Sequence, residues 1–277
     1  MATLRFDRYG KTCVRLLQVL RNNGTHEVAE INVGMLFEGE LTESYVVGDN
    51  SKVLPTDTMK NTVYALARQN PIDCIEEFGL ILGRHFLNRL DHITKINVSL
   101  EQTPWERIGS HSTAFFQNGR ERRTAAVTIT RDGESVACGL RNLQILKTSQ
   151  SAFAGYLKDE YTTLRETQDR LLGTVLDAEW TFAANENVRD FNRLHREIRS
   201  VLLDCFAEHD SFSVQHTLHA MGEATLARFS EVNDIYLTMP NKHCFLFDLF
   251  PFGLDNPNQI FVPIDEPAGF IEARLTR

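Results

Sequence analysis

The sequence has no apolar run near the roughly 20 residues that a membrane-crossing helix needs, which excludes a helical span. Its opening, "MATLRFDRYGK", lacks the apolar core of a secretory leader, and its last residues, "RLTR", are not the S-K-L peroxisomal address. The expectation is a cytoplasmic protein with no membrane partner. Two N-x-S/T sites, at Asn23 and Asn97, carry no weight in that setting. The five cysteines (Cys13, Cys74, Cys138, Cys205, Cys244) are odd in number and scattered. With no C-x-x-C spacing they point to neither a disulfide framework nor a zinc site, and read as thiols in a reducing compartment. A net charge of −8 argues against nucleic acid as a partner. It does not exclude a small anion, because the charge inside a site can oppose the net charge.

Familiar catalytic signatures are missing too. There is no G-x-S-x-G elbow, P-loop, G-x-G-x-x-G after a strand, or H-E-x-x-H. His195-Arg196-Glu197 supplies half of a zinc-deaminase signature, but no P-C-x-x-C follows and the helical pattern there reads both ends as surface. His85, His92, His216 and His219 read as solvated or structural. No pair of carboxylates stands out as acid and base, and the acidic positions fall mostly on the solvent faces of helices.

What is present is a large core and a repeated pattern. The chain has 277 residues, 42% of them hydrophobic, ample for one big domain or two moderate ones. Lys11–Arg21 and His26–Leu41 read as a long hairpin joined by the turn residues "NNGT". "TDTMKNTVYALARQ" opens with good N-cap residues and runs helically. In the next segment Pro71 marks a helix start, with Ile72, Ile75, Phe78, Leu82 and Phe86 on one face. Strands follow at Ile93–Leu100 and Arg123–Arg131, around a loop from Trp105 to Gly119.

The order then recurs: strands Val136–Thr148 and Gly173–Ala183, helices Asp190–His209 and Ser213–Phe229, strands Asp234–Met239, Cys244–Phe250 and Gln259–Val262. "RLLQVLR" at Arg15–Arg21 is echoed by "RNLQILK" at Arg141–Lys147. These features predict an α+β protein of two domains, 1–134 and 135–277. Each is an antiparallel sheet with helices on one face.

Small polar clusters sit at the ends of these elements. "YGK" brings Lys11 to the mouth of the first strand, and "PTD" (Pro55–Asp57) sits at a helix start, where free N–H groups favour an anion. "ETQDR" (Glu166–Arg170) and "SVQ" (Ser213–Gln215) add a guanidinium and an amide. "PNKH" (Pro240–His243) interrupts two strand-like runs, either as a hairpin corner or because the strands hold those side chains still.

Taken together, "YGKTCVRLLQVLR", "GDNSKVLPTDTMKNTVYALA", "EEFGLILGRHFL", "SAFAGYLKDEYTTLRETQDR", "HDSFSVQHTL", "MPNKHCFLFDL" and "GLDNPNQIFVP" resemble the urate oxidase (uricase) family along essentially the whole chain. The resemblance implies tandem T-fold domains whose sheets assemble across subunits into a barrel around a tunnel, as a homotetramer. It implies oxidation of urate by O₂ and water to 5-hydroxyisourate and H₂O₂, with no metal or organic cofactor. Carried over by motif, the catalytic residues are Lys11, Thr56 and His243. The substrate-binding residues are Asp57, Phe153, Leu164, Arg170, Val214, Gln215 and Asn241, and Thr56 and Asn241 hold the oxygen species or water. Lys11, Thr56 and Asp57 come from one subunit and the others from its neighbour.

These residue types suit a flat, anionic purine. Arg170 can present a bidentate fork that lysine cannot copy. Gln215 offers both donor and acceptor, Phe153 a stacking face, and the N–H groups of Asp57 and Val214 suit an anion. A purine with the wrong edge leaves buried polar groups unpaired, at about 1–3 kcal/mol each. Lys11 can act as a base once burial or a nearby cation lowers its pKa, with Thr56 as relay and His243 passing protons near neutral pH.

One departure from the family lies after "WERI", where the Trp105–Phe115 loop is short. His111 is present there, but Thr113 stands where a second histidine is frequent. Two alternatives remain: another T-fold enzyme that binds purines or pterins, or a catalytically silent T-fold oligomer. The zinc-dependent members of the first need a histidine or cysteine cluster that this sequence does not show. The second is disfavoured by intact Lys11, Thr56, Arg170, Gln215 and His243.

Overall fold

The computed structural model describes residues 2–182 and 190–277. The chain is a mixed α+β protein of antiparallel ladders and helices. It divides into two compact units: Met1–Leu140 with Thr181–Asn192, and Arg141–Trp180 with Arg193–Arg277. Among the described residues no helix is long and apolar enough to cross a membrane.

The first unit opens with β1 (Tyr9–Asn22) and β2 (Thr25–Gly39). Asn23 and Gly24 between them both take positive φ, 46° and 85°, the pair that a type I′ turn demands. A short helix α1 (Thr42–Val46), then α2 (Thr56–Gln69) and α3 (Ile75–Leu87), lead to β3 (Ile93–Thr103). Next come a two-residue hairpin of β4 (Glu106–Arg107) and β5 (Phe115–Phe116), and β6 (Arg122–Thr130). The sheet order is β1-β2-β3-β6, antiparallel throughout.

Successive residues of a strand face opposite sides, so β2 turns Ala29, Ile31, Val33, Met35 and Phe37 into the core. They meet Met59 and Val63 of α2 and Phe78, Leu82 and Phe86 of α3, in one buried cluster. Each large side chain so buried contributes about 1.5–3 kcal/mol. Gly79 lets α3 settle onto the sheet. A Cβ there would lie 2.8 Å from both Leu100 Cδ1 and Val127 Cγ2.

Three sequence expectations are corrected in this unit. Pro71 does not start α3, which begins at Ile75 after an extended N-cap, Cys74. Asn70 precedes the proline and is held extended (φ −126°, ψ 119°), which ends α2. The Gln18 amide then donates to Ala67 O and Asn70 O and accepts from Ile72 N at 2.7 Å, fixing the stretch as an extended connector. At α2 the N-cap is Pro55 with no side-chain cap bond, so Thr56 is the first helical residue. Finally, Glu76 is fully buried instead of facing solvent. It accepts two hydrogen bonds from Arg123, at 3.2 and 2.6 Å, and one from the Cys74 thiol at 3.2 Å. Burial pushes the Cys74 thiol up to about 12.

The loop after Trp105 closes on itself. Arg107 donates to His111 O at 2.9 Å and to His26 O at 2.5 Å, with its guanidinium 4.8 Å from the Phe115 ring centre.

β7 (Glu134–Lys147) carries the chain into the second unit, followed by β8 (Leu172–Phe182), α4 (Phe191–Glu208) and α5 (Val214–Arg228). Ala183, the expected end of β8, lies outside the described residues. β9 (Val232–Thr238), β10 (Asn241–Leu246), β11 (Phe261–Gly269) and β12 (Glu272–Thr276) complete it. Leu176, Ala178 and Trp180 of β8 are buried, and the His195 ring of α4 lies 5.8 Å from Trp180. His195 is therefore packed against the sheet, not a surface residue as the sequence pattern implied.

Each echoed heptapeptide sends one side chain to the end of a helix, though from different positions of the repeat. Gln18, in the first, holds carbonyls at the end of α2. Lys147, in the second, donates to Ala207 O and His209 O at the end of α4, at 3.5 and 2.7 Å.

"PNKH" is not a hairpin corner. β9 and β10 do not pair with each other; both pair with β8. Pro240, which has no N–H to give a ladder, breaks one extended run into two strands. The second strand thus starts at Asn241, earlier than the expected Cys244.

Candidate active site

The ten predicted site residues fall into two groups, Lys11, Thr56 and Asp57 on the first unit and the other seven on the second.

The first group is built by one clamp. Tyr9 on β1 accepts a hydrogen bond from Leu54 N at 2.9 Å, tying "YGK" to the segment that enters α2. Burial raises the Tyr9 phenol, so it stays a neutral hydroxyl at that position. Gly10 is required at this approach, since a Cβ would collide with the Met35 carbonyl at 1.8 Å. A bulge follows between Lys11 and Val14, with Cys13 at φ 59°, and such a bulge re-aims the side chains beside it. Thr56 and Asp57 occupy the first turn of α2, where backbone N–H groups have no helical acceptor. The Asp57 carboxyl is held below its usual range, first by hydrogen bonding and charge from Lys60, then by Asn61 and by the charge of Lys11. Lys11 therefore lies within electrostatic reach of the helix start.

In the second unit two backbone bridges shape the loop between β7 and β8. Phe153 and Thr167 exchange N–H···O bonds of 2.8 and 3.0 Å. Ala152 N donates to Ser211 O at 2.7 Å, and Ser211 N to Gln150 O at 3.0 Å. The first bridge sets Phe153 beside Arg170, whose guanidinium lies 5.1 Å from the ring centre. The second ties the same loop to Ser211, just ahead of Val214 and Gln215. Arg170 is half-buried, its Nε lacks a hydrogen-bond partner, and burial pulls its guanidinium below the usual range.

Ser213 caps α5 by accepting from His216 N at 3.1 Å. That leaves the N–H groups of Val214 and Gln215 facing out of the helix, with its positive dipole end behind them. Val214 is buried and Gln215 exposed. His216 packs 4.3 Å from His209, whose pKa is lowered by burial and by the nearby His216 and Lys147. β10 carries Asn241 and His243 on either side of Lys242, with a register irregularity against β11 between them. Lys242 pairs with Asp265 at 3.0 Å.

Sequence reasoning missed the residues that support the site. Tyr156 stacks on Phe153 at 4.8 Å and donates to Leu164 O at 2.6 Å, so one side chain steadies two site residues. Leu164 itself is exposed. Asp169 accepts from Ser149 Oγ at 2.7 Å and Ser151 N at 3.4 Å, stiffening the approach to Arg170. An aromatic in the F-x-G-Y step and a carboxylate beside the arginine were the available signals. A groove of about 610 Å³ on the first unit, lined by Leu16, Leu17, Tyr64, Ala67 and Arg68, includes no site residue.

Guanidinium, amide, helix N-terminus and aromatic faces make the second group suited to a flat anion. Among the described residues no cluster of three or more His, Cys, Asp or Glu could hold a metal.

Comparison with known proteins adds to this geometry. The family model described as Uricase matches residues 7–128 and 136–272. The uricase of Arthrobacter globiformis is 41% identical over 271 residues, covering 98% of this chain and 89% of that protein. The uricase of Aspergillus flavus is 37% identical over 295 residues, covering 100% and 98%. The crystal structure of the Arthrobacter globiformis uricase superposes with a TM-score of 0.96, over 100% of this chain and 96% of that one. A hyperthermostable mutant of Bacillus sp. TB-90 urate oxidase, 26% identical, superposes with a TM-score of 0.86, over 99% and 100%.

Proposed function

The chain belongs to the uricase family, and on that premise we propose that this urate oxidase works without a cofactor, at a site shared between subunits of a homotetramer of tandem T-fold domains. One subunit supplies Lys11, Thr56 and Asp57. Its neighbour supplies Phe153, Leu164, Arg170, Val214, Gln215, Asn241 and His243. The observation that carries this reading is the arrangement at Arg170. Two backbone bridges bring it to Phe153 and to the free N-terminus of α5, and its own Nε is buried without a partner. Such a group invites an anionic acceptor.

Arg170 and Gln215 hold the edges of urate, Phe153 stacks on its face, and the N–H groups of Val214 and Asp57 complete the cradle. Lys11, relayed by Thr56, removes a further proton, which makes the ring electron-rich enough to reduce O₂ directly. One electron passes to O₂, and the radical pair recombines at C5 as a hydroperoxide. Loss of H₂O₂ takes both electrons away from the ring, and water then adds at C5 to give 5-hydroxyisourate. Asn241 and Thr56 hold the oxygen species and then the water over the ring, and His243 passes protons.

The test is to mix metal-stripped protein with urate in air. Urate absorbance should fall in step with O₂ uptake and peroxide release. Persistent urate, or turnover that depends on added metal, overturns the reading.

A further inference from the structure

Thr174 of β8 is 1% exposed, and its Oγ1 has no hydrogen-bond partner. A hydroxyl buried without a partner is a net loss to folding, so its retention calls for a use. The strand register indicates one. Thr174 lies directly opposite Asn241 in the antiparallel β8–β10 ladder. Opposed residues in such a ladder share a face, with Cβ atoms about 4.5–5.5 Å apart. That face is the one that carries Leu176, Ala178 and Trp180 and receives His195 of α4. The hydroxyl and the carboxamide thus project together beneath the helices. Arg170 lies four residues before Thr174 in the chain.

We propose that Thr174 is a positioning residue that sets which end of the Asn241 carboxamide meets the oxygen species. The inference rests on the role proposed above for Asn241. A carboxamide has two ends of nearly equal size, one a donor and one an acceptor. Reduction of O₂ builds negative charge on oxygen, which a donor stabilises and an acceptor repels. When the site is filled, the Thr174 hydroxyl, unpartnered in the free protein, becomes a donor to Asn241 Oδ1, and this turns the Nδ2 hydrogens toward the developing peroxide. Without the hydroxyl both orientations are populated, and only one is productive.

The test compares Thr174→Val and Thr174→Ser in the assembled enzyme, alone and combined with Asn241→Ala. The valine variant should lose about three- to ten-fold in kcat/KM for O₂, the worth of one hydrogen bond, while its affinity for a non-oxidisable urate analogue stays at the wild-type value. The serine variant keeps the hydroxyl and should recover most of that loss. In the Asn241→Ala background the valine substitution should add nothing. Should the valine variant fail to assemble, Thr174→Ala is read against Thr174→Ser in the same way.

Wild-type O₂ kinetics in the valine variant, or an equal loss with and without Asn241, would overturn the proposal while leaving the function intact. Wild-type protein that fails to consume urate would overturn the function itself, and this inference with it.

Discussion

Two inactive variants should rescue each other. Lys11→Met removes the proposed base from the first unit, and Arg170→Ala removes the guanidinium from the second. The arginine change forfeits charge-assisted hydrogen bonds of about 1.5–3 kcal/mol each and a cation–π contact of about 0.5–1 kcal/mol. Turnover should fall by two orders of magnitude or more, on the order of 3 kcal/mol. In a shared site one subunit supplies Lys11 and its neighbour Arg170. In a random equal mixture each half is intact with probability one half, so about a quarter of all sites (one half times one half) are fully wild type. Each variant alone provides none.

The assay is co-expression with two affinity tags and isolation of the doubly tagged oligomer. Urate loss and peroxide release are then compared with the single variants and the wild type. Tandem-purified hybrids contain both chains, so at least one restored site per hybrid pair is expected. Activity no greater than the sum of the parents would mean that Lys11 and Arg170 act within one chain, and the shared site would be abandoned.

Replacing Glu76 with Ala strands Arg123, only 13% exposed, in the first core. The cost should be about 3–5 kcal/mol in denaturant unfolding, and a loss below ~1 kcal/mol would count against a buried pair. Gly79→Ala should destabilise by about 1–3 kcal/mol, because its Cβ meets Leu100 and Val127 at 2.8 Å. Adding Val127→Ala should return part of that loss in thermal melts; no relief would disprove the close-packing account. Thiol titration of native protein should label the exposed Cys13 first and leave Cys74 and Cys138 unmodified near neutral pH. The Cys74 thiol, raised from 9.0 to about 12, adds stability that is complete below pH 9 and fades as pH climbs toward 12. Equal stability of wild type and Cys74→Ala, with the same pH slope between those limits, would refute this.

Much of the fold was legible because it rests on periodicity. The alternation along Ala29–Phe37 and the helical spacing of Phe78, Leu82 and Phe86 report core faces directly. Boundaries were less legible wherever a distant side chain decides them. Nothing local says that Gln18 will take the carbonyls at the end of α2 and hold Ile72 extended. Nor does a charged residue on a helix announce that its partner, Arg123, waits on another strand. The proposed site residues were read from motifs, and Lys242, which the proposal leaves out, pairs with Asp265. Tyr156 and Thr174 were not legible. Their proposed roles are relational: one stacks on an aromatic ring, and the other sits opposite an amide.

The bond from Leu54 N to the Tyr9 hydroxyl joins residues 45 positions apart within one protomer. It ties the strand that carries Lys11 to the segment entering α2 before any second protomer arrives. Under the proposed two-subunit site, association then joins surfaces that are already ordered, so little rearrangement is left for afterwards. During refolding, activity should emerge at a rate that scales with protein concentration, without a later concentration-independent lag. Tyr9→Phe should introduce that lag while leaving the final oligomer unchanged.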